Sequence, residues 1–408
     1  MSDRQEQPIA PPSWPFSPAI LAIWLVGFLP LESAPIWIPA AQLHYHVSRV
    51  AMGELASMQF VAAAIAAMFL APRIGRLRLR APMLVAMTAA LLACLATAAL
   101  KPSFEIFCAL RMVDGLTAGL CVACAAVLAN RTGRPSRSFG AMQFGQIIAN
   151  MVVFGASTRL VATYGMAGVY ALLSAGIVML TAVVFFHKGW AVAIVPRPPV
   201  ARGAHGTIPV RIILGCVGIA VVYAGFIGMV TNATALGDRA GIGFQQVTVV
   251  LALTTPFSAL GALLATILAG RVSAAALVGA GALGTAACGL ALVFTGYGFT
   301  SLTAAMCGVI FFIYIGFPSI YAGIARLDIT GRSSARAQAA QLFGPVFGPA
   351  VGAVIAAHSD TGFAAALTIA IAGGIALAFV AVWPALIREL AQTAGDGAEQ
   401  LGTLPDMI

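Results

Sequence analysis

Three charged residues stand where hydrocarbon is expected. Arg111 and Asp114 are three positions apart in LRMVDGLTAGL (110–120), and Glu32 lies in GFLPLESAPIWIP (27–39). A charge at the centre of a lipid-spanning helix costs at least about 2.5–3.5 kcal/mol, so such residues persist when they are paired or useful. Carboxylates beside a guanidinium offer one clear chemistry. A low dielectric disfavours the carboxylate charge and the arginine restores it, so making or breaking the pair switches proton affinity. An anionic solute competing for Arg111 would link that switch to binding. Neutral polar groups follow. Gln143, Gln146 and Asn150 are spaced i, i+3, i+7, one stripe of a helix, and Gln338 and Gln341 repeat its first two members. Tyr223, Tyr314 and Tyr321 offer aromatic faces to an apolar or aromatic solute.

The elements that must hold these residues are membrane helices. The 408-residue chain is 61% hydrophobic and only 9% charged, with a mean hydropathy of +0.97; soluble domains carry about 25% charged residues. Twelve apolar runs are long enough to cross a bilayer: 18–41, 51–71, 81–100, 104–129, 138–160, 165–187, 211–234, 246–269, 274–295, 300–324, 337–357 and 363–387. The expected organisation is a tail (1–17), a six-helix bundle (18–187), a linker rich in proline and basic residues (188–210), a second six-helix bundle (211–387) and a second tail (388–408). No cleavable signal segment precedes the first run.

Charge sets the orientation. Seventeen of the 22 Lys and Arg residues fall on the side of the termini, against Arg49, Lys101, Arg159 and Arg239 on the other and Arg111 within a span. The positive-inside rule therefore puts both termini in the cytoplasm, with the chain in the cytoplasmic (inner) membrane. The net charge of +9 and pI of about 9.6 would suggest nucleic acid in a soluble protein; here they are a topology signal, and no nucleic acid is expected. All seven cysteines lie in apolar runs, Cys121-x-x-Cys124 included, and read as packing. No metal constellation, nucleotide loop or nucleophile–base pair occurs. The expectation is a protein that is not an enzyme, with no cofactor and no metal, monomeric in the bilayer.

The chain repeats itself. Shifted by 195 residues, Gly75-Arg76 meets Gly270-Arg271, Arg131 meets Arg326, Arg137-Ser138 meets Arg332-Ser333, and Gln143 and Gln146 meet Gln338 and Gln341, all in one register. Two parallel halves of six spans with a long central loop resemble the major facilitator superfamily, a family the general rules for transporter repeats already describe. The loop PRIGRLRLR (72–80) resembles the superfamily's Gly-x-x-x-Asp-Arg-x-Gly-Arg-Arg signature, with Arg73, Gly75 and Arg76 matching, while Pro72 stands in the acidic position and Met68 in the first glycine position. Span 4 resembles the Arg-x-x-Gln-Gly motif through Arg111 and Gly115, with Asp114 in place of glutamine. Span 5 lacks the Gly-Pro-x-x-x-Gly-Gly pattern of drug/proton antiporters, and span 1 lacks the Asp-Gly-x-Asp element of aromatic-acid importers. The resemblance implies a fold of twelve helices in two pseudo-symmetric bundles, a midplane substrate site and alternating access. It further implies that spans 1, 4, 7 and 10 line the cavity while 2, 5, 8 and 11 join the halves. Gating falls to Arg73, Gly75, Arg76, Gln143, Gln338 and Gln341.

The charges do not repeat. Glu32, Arg111 and Asp114 correspond to Ile227, Met306 and Val309. At about 1.5 Å per residue they lie roughly 13, 10 and 15 Å deep, one layer of a ~30 Å core. If both helices face the cavity, Glu32 and Arg111 can pair. Pro30, Pro35 and Pro39 surround Glu32, and interrupted helices near the midplane point to a transporter's binding site. The expected function is a proton-coupled secondary transporter of a small amphipathic organic solute, an organic anion or aromatic acid. Glu32, Asp114 and Arg111 would couple protons, and Arg111, Glu32, Tyr223, Tyr314, Tyr321, Gln146 and Asn150 would contact substrate. A proton-driven multidrug or metabolite exporter uses the same carboxylates and is the alternative; a non-transporting sensor has no soluble domain through which to signal.

Overall fold

Every backbone group inside a bilayer must find its partner within the chain, so the apolar runs become helices. The computed structural model describes residues 17–70, 73, 80–132, 134–187, 210–233, 237, 241–295, 298–328, 331–358 and 362–402. These form α1 (Pro18–Glu32), α2 (Ala34–Tyr45), α3 (Arg49–Leu70), α4 (Arg80–Leu100), α5 (Phe104–Asn130), α6 (Pro135–Phe186), α7 (Val210–Thr231), α8 (Phe244–Leu268), α9 (Ala274–Thr295), α10 (Phe299–Arg326), α11 (Arg332–His358) and α12 (Gly362–Gly402).

Twelve spans are not the same as these twelve helices. The first span is broken: α1 and α2 meet at a 47° bend. Pro35 sits in the first turn of α2 and has no N–H to continue the ladder. The break satisfies its own carbonyls: Ser33 Oγ and Trp37 Nε1 both donate to Pro30 O, at 3.1 and 3.3 Å. Spans 5 and 6 are one element, α6, interrupted only at Gly165, whose φ of 58° is open to glycine and strained in other residues. Ten described helices are long and apolar enough to cross a membrane, or eleven if the bent pair is one span. The helix in the place of the expected eleventh span, α11, carries Pro345 and Pro349 and is not among them. Past its apolar stretch (Thr368–Leu386), α12 continues as helix to Gly402, where a tail was expected from 388. Of the expected linker, 188–209 lies outside the described residues.

The packing repeats as the sequence does. α1 packs on α6 as α7 packs on α11; α3 packs on α5 as α8 on α10; α4 packs on α5 as α9 on α10. Lipid tails are as apolar as the side chains, so small residues and close approach hold membrane helices together. A Cβ on Gly115 would stand 2.4 Å from Gln59 O, and one on Gly119 would stand 2.0 Å from Ala63 O. Backbone therefore meets backbone between α5 and α3. The halves join through α3 with α11 and α6 with α8. At the end of the bundle where α1 begins, hereafter the basal end, Asn130 Nδ2 donates to Ala325 O at 3.3 Å. These residues are one repeat length apart, and two such residues can touch only near the pseudo-two-fold axis. Beside them the rings of Phe139 and Tyr321 lie 5.4 Å apart, so the two halves are in contact at this end.

Candidate functional site

Arg111 and Asp114 are both fully buried, and they form an ion pair: Nη1 lies 2.8 Å from Oδ2. The pair recruits the rest of the first bundle. Gln59 Nε2 of α3 donates to Asp114 Oδ2 at 3.1 Å. Arg111 Nη2 donates to Thr97 Oγ1 of α4 at 3.3 Å, and that hydroxyl donates to Ala93 O at 2.8 Å. The guanidinium also stacks on aromatic faces, with Cζ 4.4 Å from the Tyr170 centroid in α6 and 5.3 Å from Phe107. Arg111 Nε, Asp114 Oδ1 and the Tyr170 hydroxyl have no hydrogen-bond partner among the described residues.

The expected Glu32–Arg111 pair therefore does not form; the arginine's ionic partner is Asp114 of its own helix. A shared depth does not make a contact; azimuth decides it. Arg111, Gly115 and Gly119 lie at i, i+4, i+8, one ridge of α5. The glycines on that ridge press against α3, so the arginine above them points into the bundle. Its partners come from α4, α5 and α6, and those of Asp114 from α3 and α5, where the expectation had the arginine facing the cavity.

Glu32 occupies a different place. It is the last residue of α1, at the break, and is half-buried. Gln146 Nε2 of α6 donates to Glu32 Oε1, and Gln146 Oε1 accepts from Trp24 Nε1 of α1. The chemistry fixes the amide: an indole N–H only donates, so the amide oxygen must face Trp24 and the amino group must face Glu32. Glu32 Oε2 has no hydrogen-bond partner among the described residues. The carboxyl is within electrostatic range of the phenols of Tyr223 in α7 and Tyr314 in α10. Those two rings, with Val222, Phe226 and Ile313, line a small pocket in the second bundle.

The repeat of Gln146 is a second hub. Gln341 Nε2 donates to Tyr223 OH at 2.8 Å, and Tyr321 OH donates to Gln341 Oε1 at 2.5 Å. Tyr321 is buried and stacks on Phe139 of the first bundle, whereas Tyr223 packs edge-on to Phe317 with centroids 5.2 Å apart. Gln143 and Gln338, also one repeat apart, are both buried with both amide atoms unpartnered. Asn150 is half-buried one turn beyond Gln146. Arg73 is exposed, donates to Phe69 O at 3.0 Å and lies over that residue's ring; Gly75 and Arg76 lie outside the described residues.

Reading the sequence missed Trp24, Gln59, Thr97, Tyr170 and Phe139. Gln59 carried a signal, an amide within an apolar span. Thr97 carried little, because a threonine that back-bonds to its own helix costs nothing in lipid.

Comparison with known proteins adds a lineage to this geometry. The model of the Major Facilitator Superfamily matches residues 19–327. Among solved structures, the proton:xylose symporter XylE bound to 6-bromo-6-deoxy-D-glucose superposes with a TM-score of 0.73 at 14% identity, covering 90% of this chain and 94% of that one. The transporter FucP in the outward conformation gives 0.64 at 15% identity, covering 90% and 96%. The E. coli fucose:proton symporter FucP, as a variant, gives 0.65 at 16% identity with the same coverage. No curated protein matches.

Proposed function

Because this chain belongs to the major facilitator superfamily, we propose that it is a proton-coupled carrier of a small amphipathic organic solute, with Glu32 as its proton-accepting group. The observation that carries this reading is the placement of Glu32: a carboxyl at a helix break, one oxygen held by Gln146, the other unpartnered, opposite Tyr223 and Tyr314. Solved structures similar to it include proton symporters of xylose and of fucose, which supports coupling to protons without naming this chain's cargo.

The chemistry follows from the inventory of donors. An ionised Glu32 only accepts hydrogen bonds; protonation turns one oxygen into a donor. A solute head group that accepts a hydrogen bond then binds the protonated carrier better than the ionised one, which is the differential affinity coupling requires. Its apolar or aromatic body meets the rings of Tyr223, Tyr314 and Phe226. With Arg111 paired inside its own bundle and no cation among the described partners of Glu32, a neutral or aromatic solute with a hydrogen-bonding head suits the site better than a dianion. Release towards the basal end requires the Asn130–Ala325 and Phe139–Tyr321 contacts to part, and rocking of the bundles about α3–α11 and α6–α8 would do it. Arginines 73, 131, 134, 137, 211, 271, 326, 332 and 336 crowd the basal end, which makes it the cytoplasmic side in this reading.

Proteoliposomes with imposed pH gradients of each sign test the proposal. Wild type accumulates solute under one sign. Glu32→Gln loses gradient-driven accumulation by at least about tenfold, a ~1.4 kcal/mol effect, and keeps solute-for-solute exchange. Full gradient-driven uptake in Glu32→Gln would end the coupling hypothesis, and accumulation under the opposite sign would make the protein an antiporter.

A further inference from the structure

Two buried amides in the basal half have nothing to bond. Gln143 of α6 is 2% exposed and Gln338 of α11 is fully buried. Neither the oxygen nor the nitrogen of either amide has a hydrogen-bond partner among the described residues. One turn further from the basal end, Gln146 and Gln341 use both amide atoms, on Trp24 and Glu32 and on Tyr321 and Tyr223. A buried polar group without a partner bears the full cost of its desolvation, so two such amides, one repeat apart, call for a reason.

Each helix turns its amide towards the other bundle. Gln143 stands in the middle of the α6 face made by Phe139, Gly140 and Ile147, and all three meet the second bundle. Phe139 stacks on Tyr321, a Cβ on Gly140 would fall 2.4 Å from Thr266 Oγ1 of α8, and Ile147 clusters with Ala259 and Ala262. Gly145, which meets Leu21 of α1, lies on the opposite face. In α11, Gly344 and Gly348 press on α7: a Cβ on the first would fall 2.7 Å from Ala220 O, and on the second 2.6 Å from Ala224 O. Gln338 is turned about 120° away from Gly344. It lines up instead with Gly331, two turns earlier, where a Cβ would fall 3.0 Å from Val127 of α5. At about 1.5 Å per residue, Gln143 lies roughly 4.5 Å to the basal side of Gln146 and 6 Å above Phe139; Gln338 stands in the same relation to Gln341. The two amides are enclosed between the level of the hubs and the Phe139–Tyr321 and Asn130–Ala325 contacts that close the basal end.

We infer that Gln143 and Gln338 are a paired release for the basal end: their unmade hydrogen bonds raise the free energy of the arrangement in which the bundles touch there, and parting of the bundles lets water or the solute's head group satisfy them. This rests on the reading of the chain as a carrier whose basal end opens, and not on Glu32 as its proton acceptor. A group shifts an equilibrium only by what it gains in one state over the other. Gln146 and Gln341 are already bonded with the end closed, so they hold the arrangement; Gln143 and Gln338 bond nothing there and gain on opening. An amide does not titrate, so the bias is the same at acid and at neutral pH.

Gln143→Met/Gln338→Met in nanodiscs tests this, because methionine fills a similar space and has no amide to satisfy. Nitroxides at Arg134→Cys and Arg271→Cys report opening. Both positions are exposed and line one cavity between the start of α6 and the α8–α9 turn, so their dipolar broadening is lost when the bundles part. Without the methionine substitutions the labelled protein shows an open fraction. The double variant lowers the ratio of open to closed by about tenfold, a ~1.4 kcal/mol effect, at acid and at neutral pH alike. Its thermal midpoint, read without labels, rises by about 2 °C or more. Each single variant moves both readouts part of the way, so a folding defect in the double variant would not hide the result. An open fraction that is unchanged or larger, a midpoint that falls in both single variants, or no open fraction before substitution overturns the inference. Failure of the coupling reading shows elsewhere, as gradient-driven uptake that persists in Glu32→Gln, and leaves these two readouts as predicted.

Discussion

Gln146 and Gln341 are the same residue in two copies of one design, and their partners differ in kind. In the first bundle the amide bridges an indole, which only donates, to a carboxyl, which gains and loses a proton. In the second it bridges two phenols, each able to donate or accept. The positions that carry Trp24 and Glu32 in one half carry Ile219 and Ile227 in the other. The bundle evidently packs without the charge, so the carboxyl is an addition to a shared scaffold. The same holds for Arg111 and Asp114 against Met306 and Val309, but that addition is sealed inside the first bundle, while Glu32 lies within electrostatic range of Tyr223 and Tyr314 in the second.

The sharpest way to break the comparison is to erase the sealed pair one member at a time. Arg111→Met leaves Asp114 buried without its cation and costs about 3–5 kcal/mol; Arg111→Met/Asp114→Val, the second bundle's own residues, recovers most of that loss. Chemical denaturation in detergent reads both. A double variant as unstable as the single would mean that the first bundle depends on the charges themselves. Next in size, Gly119→Ala pushes a methyl against Ala63 O and costs about 1–3 kcal/mol, whereas Gly53→Ala, with no heavy atom within 4 Å, changes stability by no more than about 0.5 kcal/mol. Trp24→Phe removes the donor that orients Gln146. The amide can then turn, and the pH dependence of transport should shift while stability falls by about 1 kcal/mol. The second hub gives a stability effect like that of Trp24→Phe but without the shift in pH dependence. Tyr321→Phe loses one hydroxyl bond, about 0.5–1.5 kcal/mol, and leaves the pH dependence unmoved because the partners there do not titrate between pH 5 and 8.

How much of this was legible beforehand divides along a physical line. Span positions and the 195-residue register were readable because lipid enforces apolar runs and because Arg and Gln are scarce enough for their matches to mean something. The break at Glu32 was readable from Pro30, Pro35 and Pro39. Azimuth was not used, although Gly115 and Gly119 recorded it: a ridge that carries glycines is a ridge in contact, and Arg111 shares it. Contacts between bundles, such as Phe139 with Tyr321 and Asn130 with Ala325, depend on how two rigid units dock. No local spacing encodes that.

The central claim is that Glu32, at the break and facing the second bundle, carries the proton, while Arg111 and Asp114 do not exchange it during transport. Solute-induced charge movement on a supported membrane tests this most directly, comparing wild type, Glu32→Gln and Arg111→Met/Asp114→Val. The account predicts a transport current in wild type and in the double variant, and none in Glu32→Gln at any pH. A current that persists in Glu32→Gln and vanishes in a folded double variant would contradict it.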